Sequence, residues 1–433
     1  MSPGDPASNF PKKISARETL IRAYFAAMKI PVILLLLTGT VSAQKAPDYT
    51  LHEWGTFTTV SGSDGGLLPG LQREEEGLPP FVHSHEGMEN LGDVTGNPDG
   101  SVSIKGWIRP LKNVTVKMET PVIYFYTKEP FQAKVSVGFD GGSISQWYPE
   151  RSGGETPPAY APTESAGTAK IAGFQIGGAG YPRGAAIDFA KGYQGSINWN
   201  VAVTPPDDED SAKIFRGGEN ASWLHQRQTD SALVQAADGT SEKFLFYRGV
   251  GRLDLPVVFR MKSDRSLEIE NRGDAPVPGL LVYEMGSGGA VRFRVFDALA
   301  SGKSTVVDLS KLEANANWHR PVYAALTKVL MEAGLFRKEA DAMLQTWWRS
   351  YFERPGLRVF WLVPGAFTEK ILPLSVEPPP GRMARVLVGR AEILTPDFEK
   401  DLLSQKKNPE AFVMKNDRFI EAYNERIRQL SQP

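Results

Sequence analysis

From Tyr49 to about Leu309 apolar and polar residues alternate in short runs separated by Gly, Pro, Asn, Asp and Ser, a pattern that predicts antiparallel strands. The clearest early runs are 51–60 (LHEWGTFTTV), 114–127 (VTVKMETPVIYFYT), 133–139 (AKVSVGF), 143–149 (SISQWYP) and 196–203 (SINWNVAV). Runs at 243–250, 256–261, 266–271, 279–285, 290–297 and 303–309 continue it. Asp140, Gly141 and Gly142 can take the positive φ values of a tight turn, so 133–149 reads as a hairpin. So many short strands predict a mainly β fold, an antiparallel sandwich or barrel, and the pattern does not separate the two. Residues 150–186 are rich in Gly, Pro, Ala, Ser and Thr and read as a long surface loop. The acidic run PPDDEDS at 205–211 lacks the alternating ligand pattern of a calcium loop and reads as a solvated turn.

After Leu309 the apolar period lengthens. Val322, Ala325, Leu326, Val329 and Leu330 share one helical face, and Gly334 is placed to end that helix. Ala340, Leu344, Trp347, Trp348 and Tyr351 stripe a second helix, on which the adjacent tryptophans read as packing rather than as a ligand platform. Strands at 357–364 and 384–394 follow. Thr395 and Pro396 then stand at the N-cap and first position of a helix, and Phe419, Ile420, Tyr423, Ile427 and Leu430 stripe a last one. The expected organisation is a β-rich domain, 44–309, with a smaller α/β C-terminal region, 310–433, docked on it.

The apolar run IPVILLLLTGTVSA (30–43) follows Lys29 and ends with Val41 and Ala43 at the positions a signal peptidase reads. Residues 1–43 are thus expected to form a signal peptide cleaved to leave Gln44 first, with Met28 as an alternative start. The run is shorter than the roughly 20 apolar residues a bilayer span needs, and no comparable stretch follows, so a periplasmic or secreted protein without a membrane span is expected. The absence of cysteine rules out disulfides, leaving a large core to hold the exported chain together. With 49 basic and 50 acidic residues mixed along the chain, nothing marks a nucleic-acid surface.

Three of the five histidines fall within residues 52–85. On a strand, His83 and His85 point the same way about 6.6 Å apart, and Glu86 or Glu89 can add a carboxylate, which points to one divalent metal ion. His52 is a candidate third imidazole, against the alternative of a histidine capping a sheet edge; His225 is another. Glu119 is a candidate general acid if its strand buries it, against a structural role at the edge marked by Pro121. Phosphate-binding glycine loops, G-x-S-x-G elbows and H-E-x-x-H helices are absent from the sequence.

Residues 77–96 (GLPPFVHSHEGMENLGDVTG) resemble the first motif of the cupin family in the spacing of Gly77, His83, His85, Glu89 and Gly96. That resemblance implies a small β-barrel holding a metal through His83, His85 and Glu89; the second cupin motif has no counterpart in the chain. The segments HEWGTFTTV, METPVIYFY, MLQTWWRSYF and VLVGRAEILTP together resemble an uncharacterised family of exported bacterial proteins, a likeness that implies export and no particular activity. Two functions stay open: a non-catalytic protein binding a ligand or protein partner, and a metal-dependent enzyme built on His83 and His85. Carbohydrate is one ligand class for the first, with Trp107, Trp147, Tyr148 and Trp199 as stacking candidates.

Overall fold

The computed structural model describes residues 47–72, 77–85, 111–158, 169–171, 174–176, 187–206, 214, 221–405 and 417–432. Residues 1–43, expected to form a signal peptide, and Glu86, Glu89 and Trp107 lie outside them. The described residues belong to one compact unit, Ala46–Pro433.

The fold is mainly β and sandwich-like. The strand Tyr49–Ser61 lies inside an eleven-stranded sheet and is buried almost throughout. It runs antiparallel to Val122–Thr127 and Val116–Met118 on one side. On the other it runs parallel to Arg382–Ile393, from Thr50↔Arg382 to Ser61↔Ile393, a departure from the antiparallel pairing read in the sequence. The C-terminal strands Gly356–Leu362 and Arg382–Ile393 therefore belong to the same sheet as the N-terminal ones. A six-stranded sheet containing Phe131–Asp140 and Gln194–Thr204 contributes to the same core, where Leu51, Phe57, Ile123 and Phe125 join Val135, Val137, Trp199 and Val201. Stacked sheets sharing one apolar interior are the physical content of a sandwich.

Two expectations change. The run 114–127 divides at Pro121, which cannot donate to a ladder, into Val116–Met118 and Val122–Thr127. The runs flanking Asp140 to Gly142 are not a hairpin: Phe131–Asp140 pairs with Gln194–Thr204 in the smaller sheet, and Gly142–Tyr148 pairs with Leu245–Gly251 in the larger. Gly141, at φ 91°, is the corner between the sheets, and a Cβ there would stand 2.5 Å from the Arg252 carbonyl oxygen. A turn signal reports a change of direction, and this one carries the chain across the sandwich.

Among the described residues most helix follows Leu309. His319–Glu332 buries Val322 and Leu330 and ends before Gly334 at φ 112°. Arg337–Trp347 continues into the π-helical turn Trp348–Phe352. Thr395 caps Pro396–Gln405 by accepting a hydrogen bond from the Phe398 amide at 3.2 Å. Trp147, Tyr148 and Trp199 are buried core residues. No helix among the described residues is long and apolar enough to cross a membrane.

Candidate functional site

His83 and Ser84 form a two-residue strand at one end of the large sheet, paired with Gly142–Tyr148 so that His83 stands opposite Trp147. The ladder continues as the His85 amide donates to the Ser145 carbonyl at 3.1 Å. The strand itself covers only His83 and Ser84, and both imidazoles have ring contacts with Trp147. His83 lies parallel to its ring at 6.2 Å and His85 edge-on at 4.8 Å. Each is matched with a carboxylate that no motif announced. His83 Nδ1 is 3.1 Å from Glu150, a pair exposed at 34% and 41%, while His85 Nε2 is 4.0 Å from Glu155, both buried. Glu155 accepts from the Ser143 hydroxyl at 2.9 Å and the Ile144 amide at 2.5 Å. Burial nevertheless dominates and raises its pKa to about 7, against those hydrogen bonds, one from Tyr193, and the charge of Arg151. The Arg151 guanidinium covers the Trp147 ring at 4.4 Å, so that indole offers no open face for stacking a sugar.

His52 lies elsewhere. Three strands of the large sheet separate its strand from His83–Ser84. It is buried, with Nδ1 2.7 Å from Glu339 Oε2, which also accepts from the Phe336 amide at 2.7 Å. The helix Arg337–Trp347 is thereby fastened to the first strand. The structure keeps His52 apart from the His83 and His85 pair, and the fourth proposed ligand, Glu89, is not among the described residues. Among those residues no group of three or more His, Asp or Glu side chains is placed to hold a metal. His225, on Ala221–Gln226, has a lowered pKa because burial disfavours its charge. Glu119 is buried with Lys117 Nζ at 3.4 Å. Its carboxylate therefore has a cation beside it, rather than the purely apolar face proposed for a general acid.

A third cluster lies under the π-helical turn. Glu392 accepts from Arg358 Nε at 2.9 Å, Arg390 at 2.6 Å and Arg418 at 3.3 Å, and against the upward pull of burial these cations hold its pKa down to about 2. Arg390 also sits 4.1 Å from the centre of the Tyr351 ring. Charge pairs of this kind tie the sheet to the turn.

An opening runs along the outer face of His319–Glu332. This groove, about 930 Å³, is lined by residues including Tyr323, Thr327, Met331 and Trp348. Its size falls in the range of small-molecule sites. The adjacent tryptophans divide their roles. Trp347 is buried and donates to the Thr120 hydroxyl at 2.8 Å, whereas Trp348 lines the groove and stacks on Trp318 at 5.6 Å. Met331 is 44% exposed on the groove. Tyr323 donates to Asp341 at 2.8 Å, and burial pushes its hydroxyl pKa up to about 12.

The chain matches no family model and no curated protein. Among solved structures, a beta-glucuronidase from glycoside hydrolase family 2 aligns at 13% identity over 56% of this chain and 23% of its own, with a TM-score of 0.09. The alignment spans about a quarter of that enzyme, and a score so low carries no argument about fold or activity.

Proposed function

We propose that this protein is exported and acts as a non-catalytic ligand-binding protein, with the groove beside His319–Glu332 as its binding site. One observation carries the reading: an aromatic-walled opening of about 930 Å³ lies against a large, well-packed β scaffold. An apolar surface left open in this way is the usual mark of a contact site. The ligand's apolar body would lie against Trp348, Tyr323 and Met331. The earlier carbohydrate candidates Trp147, Tyr148 and Trp199 are committed to the core, so they lend no support to a sugar platform.

The test is a fluorescence titration of the purified mature protein with the neutral amphiphile N-phenyl-1-naphthylamine. Saturable binding with one site per chain is expected, weakened about tenfold by Met331→Asp, which places a charge in the apolar wall. Absence of saturable binding, with the fold intact by circular dichroism, would exclude the groove as a ligand site.

A metal-dependent enzyme remains the second reading, favoured by the contact that both His83 and His85 make with the Trp147 ring. Elemental analysis of the mature protein separates the two. About one equivalent of transition metal, lost in the His83→Ala, His85→Ala double variant, would replace the binding-protein reading.

A further inference from the structure

The charges around the groove go further and specify what kind of molecule it accepts. Each carboxylate there has a cation of its own: Lys328 Nζ is 3.8 Å from Glu332, and Arg337 Nε is 2.8 Å from Asp341. Arg320 lines the same groove and has no ion-pair partner among the described residues. It is exposed, and it follows His319, whose ring stacks on Trp318 at 3.9 Å and lies 5.9 Å from Trp348. The aromatic end of the groove thus carries an uncommitted guanidinium, suited to the planar, bidentate recognition of a carboxylate or sulfonate.

A second observation comes from the wall. Among the side chains lining the groove, three are cationic, Arg320, Lys328 and Arg337, against one carboxylate, Glu332. That balance favours an anion over a cation.

We infer that the groove binds an amphipathic organic anion, its carboxylate or sulfonate on Arg320 and its apolar body along Tyr323, Trp348 and Met331. This rests on the groove being the binding site, and the opposite charge preference, for an amphipathic cation, is disfavoured because Glu332 and Asp341 are already paired.

The experiment compares two probes on the full mature protein and on Arg320→Gln, an exposed substitution that leaves the core untouched. 8-Anilinonaphthalene-1-sulfonate supplies the anion and N-phenyl-1-naphthylamine the same kind of apolar body without charge. Loss of a charge-assisted contact should weaken the sulfonate by about tenfold or more in Arg320→Gln and leave the neutral probe within about twofold. Dodecanoate should displace the neutral probe from the native protein, and dodecyltrimethylammonium should be at least about tenfold less effective. The inference fails if Arg320→Gln leaves sulfonate affinity within twofold, or if the cationic amphiphile competes equally well. In either case the binding-site reading survives through the neutral probe; if neither probe binds, both fall together. A concentration-dependent dimer abolished by Met331→Asp would also overturn the inference, since the groove would then be an interface between copies.

Discussion

Glu155→Gln isolates the cost of keeping a carboxylate buried beside His85. In the folded protein its pKa is raised from 4.5 to about 7, chiefly by burial. A raised acid pKa means that the folded state holds its proton more tightly than the unfolded chain. Stability from this group is therefore complete below pH 4.5, falls as pH rises through the interval, and levels off above pH 7. A shift of about 2.5 units corresponds to roughly 3 kcal/mol. Glutamine does not titrate and keeps an oxygen for the Ser143 hydroxyl and Ile144 amide, so it mimics the neutral acid. Relative to the native protein, the variant should thus gain about 3 kcal/mol between pH 4.5 and pH 7.5. For a unit of about 400 residues, at roughly 2.1 cal/mol/K of unfolding entropy per residue, that is about 4 °C in melting temperature. Thermal unfolding of both proteins by circular dichroism, at half-unit pH steps, measures it. Melting curves that stay parallel within about 0.5 °C over the whole range would refute the assignment of a buried, neutral Glu155.

Glu392→Gln should destabilise by about 3–5 kcal/mol, measured by urea unfolding at pH 7, because Arg358, Arg390 and Arg418 lose the carboxylate they share. The depressed pKa of Glu392 adds a second check. Its stabilisation is present above pH 4.5 and should drain away as pH falls towards 2 in native but not variant protein. Gly141→Ala should cost about 2–4 kcal/mol by the same assay, combining a left-handed φ with the 2.5 Å approach to the Arg252 carbonyl. Glu339→Ala should cost about 2–3 kcal/mol, since it strands both the buried His52 and the Phe336 amide, and Glu339→Gln should recover part of the loss.

The β character was legible because alternation is a local property. Val116, Met118, Val135 and Val137 alternate since each strand has one face on the shared core, and that requirement is met within a few residues of sequence. Helix ends were legible for the same reason: Thr395 and Gly334 act on the backbone beside them. Sheet assignment is not local. Gly141 and Gly142 carry the same signal whether the next strand folds back on its predecessor or crosses to the opposite sheet. The choice is made by Gln194–Thr204 and Leu245–Gly251, more than fifty residues away. The parallel pairing of Tyr49–Ser61 with Arg382–Ile393 joins opposite ends of the chain and leaves no local mark either.

Sites follow the same division. His83 and His85 were visible because an H-x-H pattern needs only a spacing of two in sequence; the structure gives each imidazole its own carboxylate, Glu150 and Glu155. Glu150 and Glu155 were hidden, although they are close in sequence to Trp147, because they lie in a stretch whose Gly, Pro and Ser content reads as a loop. Only pairing of Gly153–Gly154 with Gln194–Thr204 fixes Glu155 against Ser143. The groove was hidden more deeply. Its wall residues Arg320, Tyr323, Thr327 and Met331 recur at helical spacing on the side opposite the predicted apolar stripe, where Arg320, Lys328 and Glu332 make the face read as solvated. A helix face becomes a binding surface only when a second element rises beside it. Here that element is the turn Trp348–Phe352, whose π-helical winding places Trp348 against Trp318 while Trp347 stays in the core. The tryptophan pair is a single hydrophobic signal in sequence, and the winding of one turn divides it between stability and recognition.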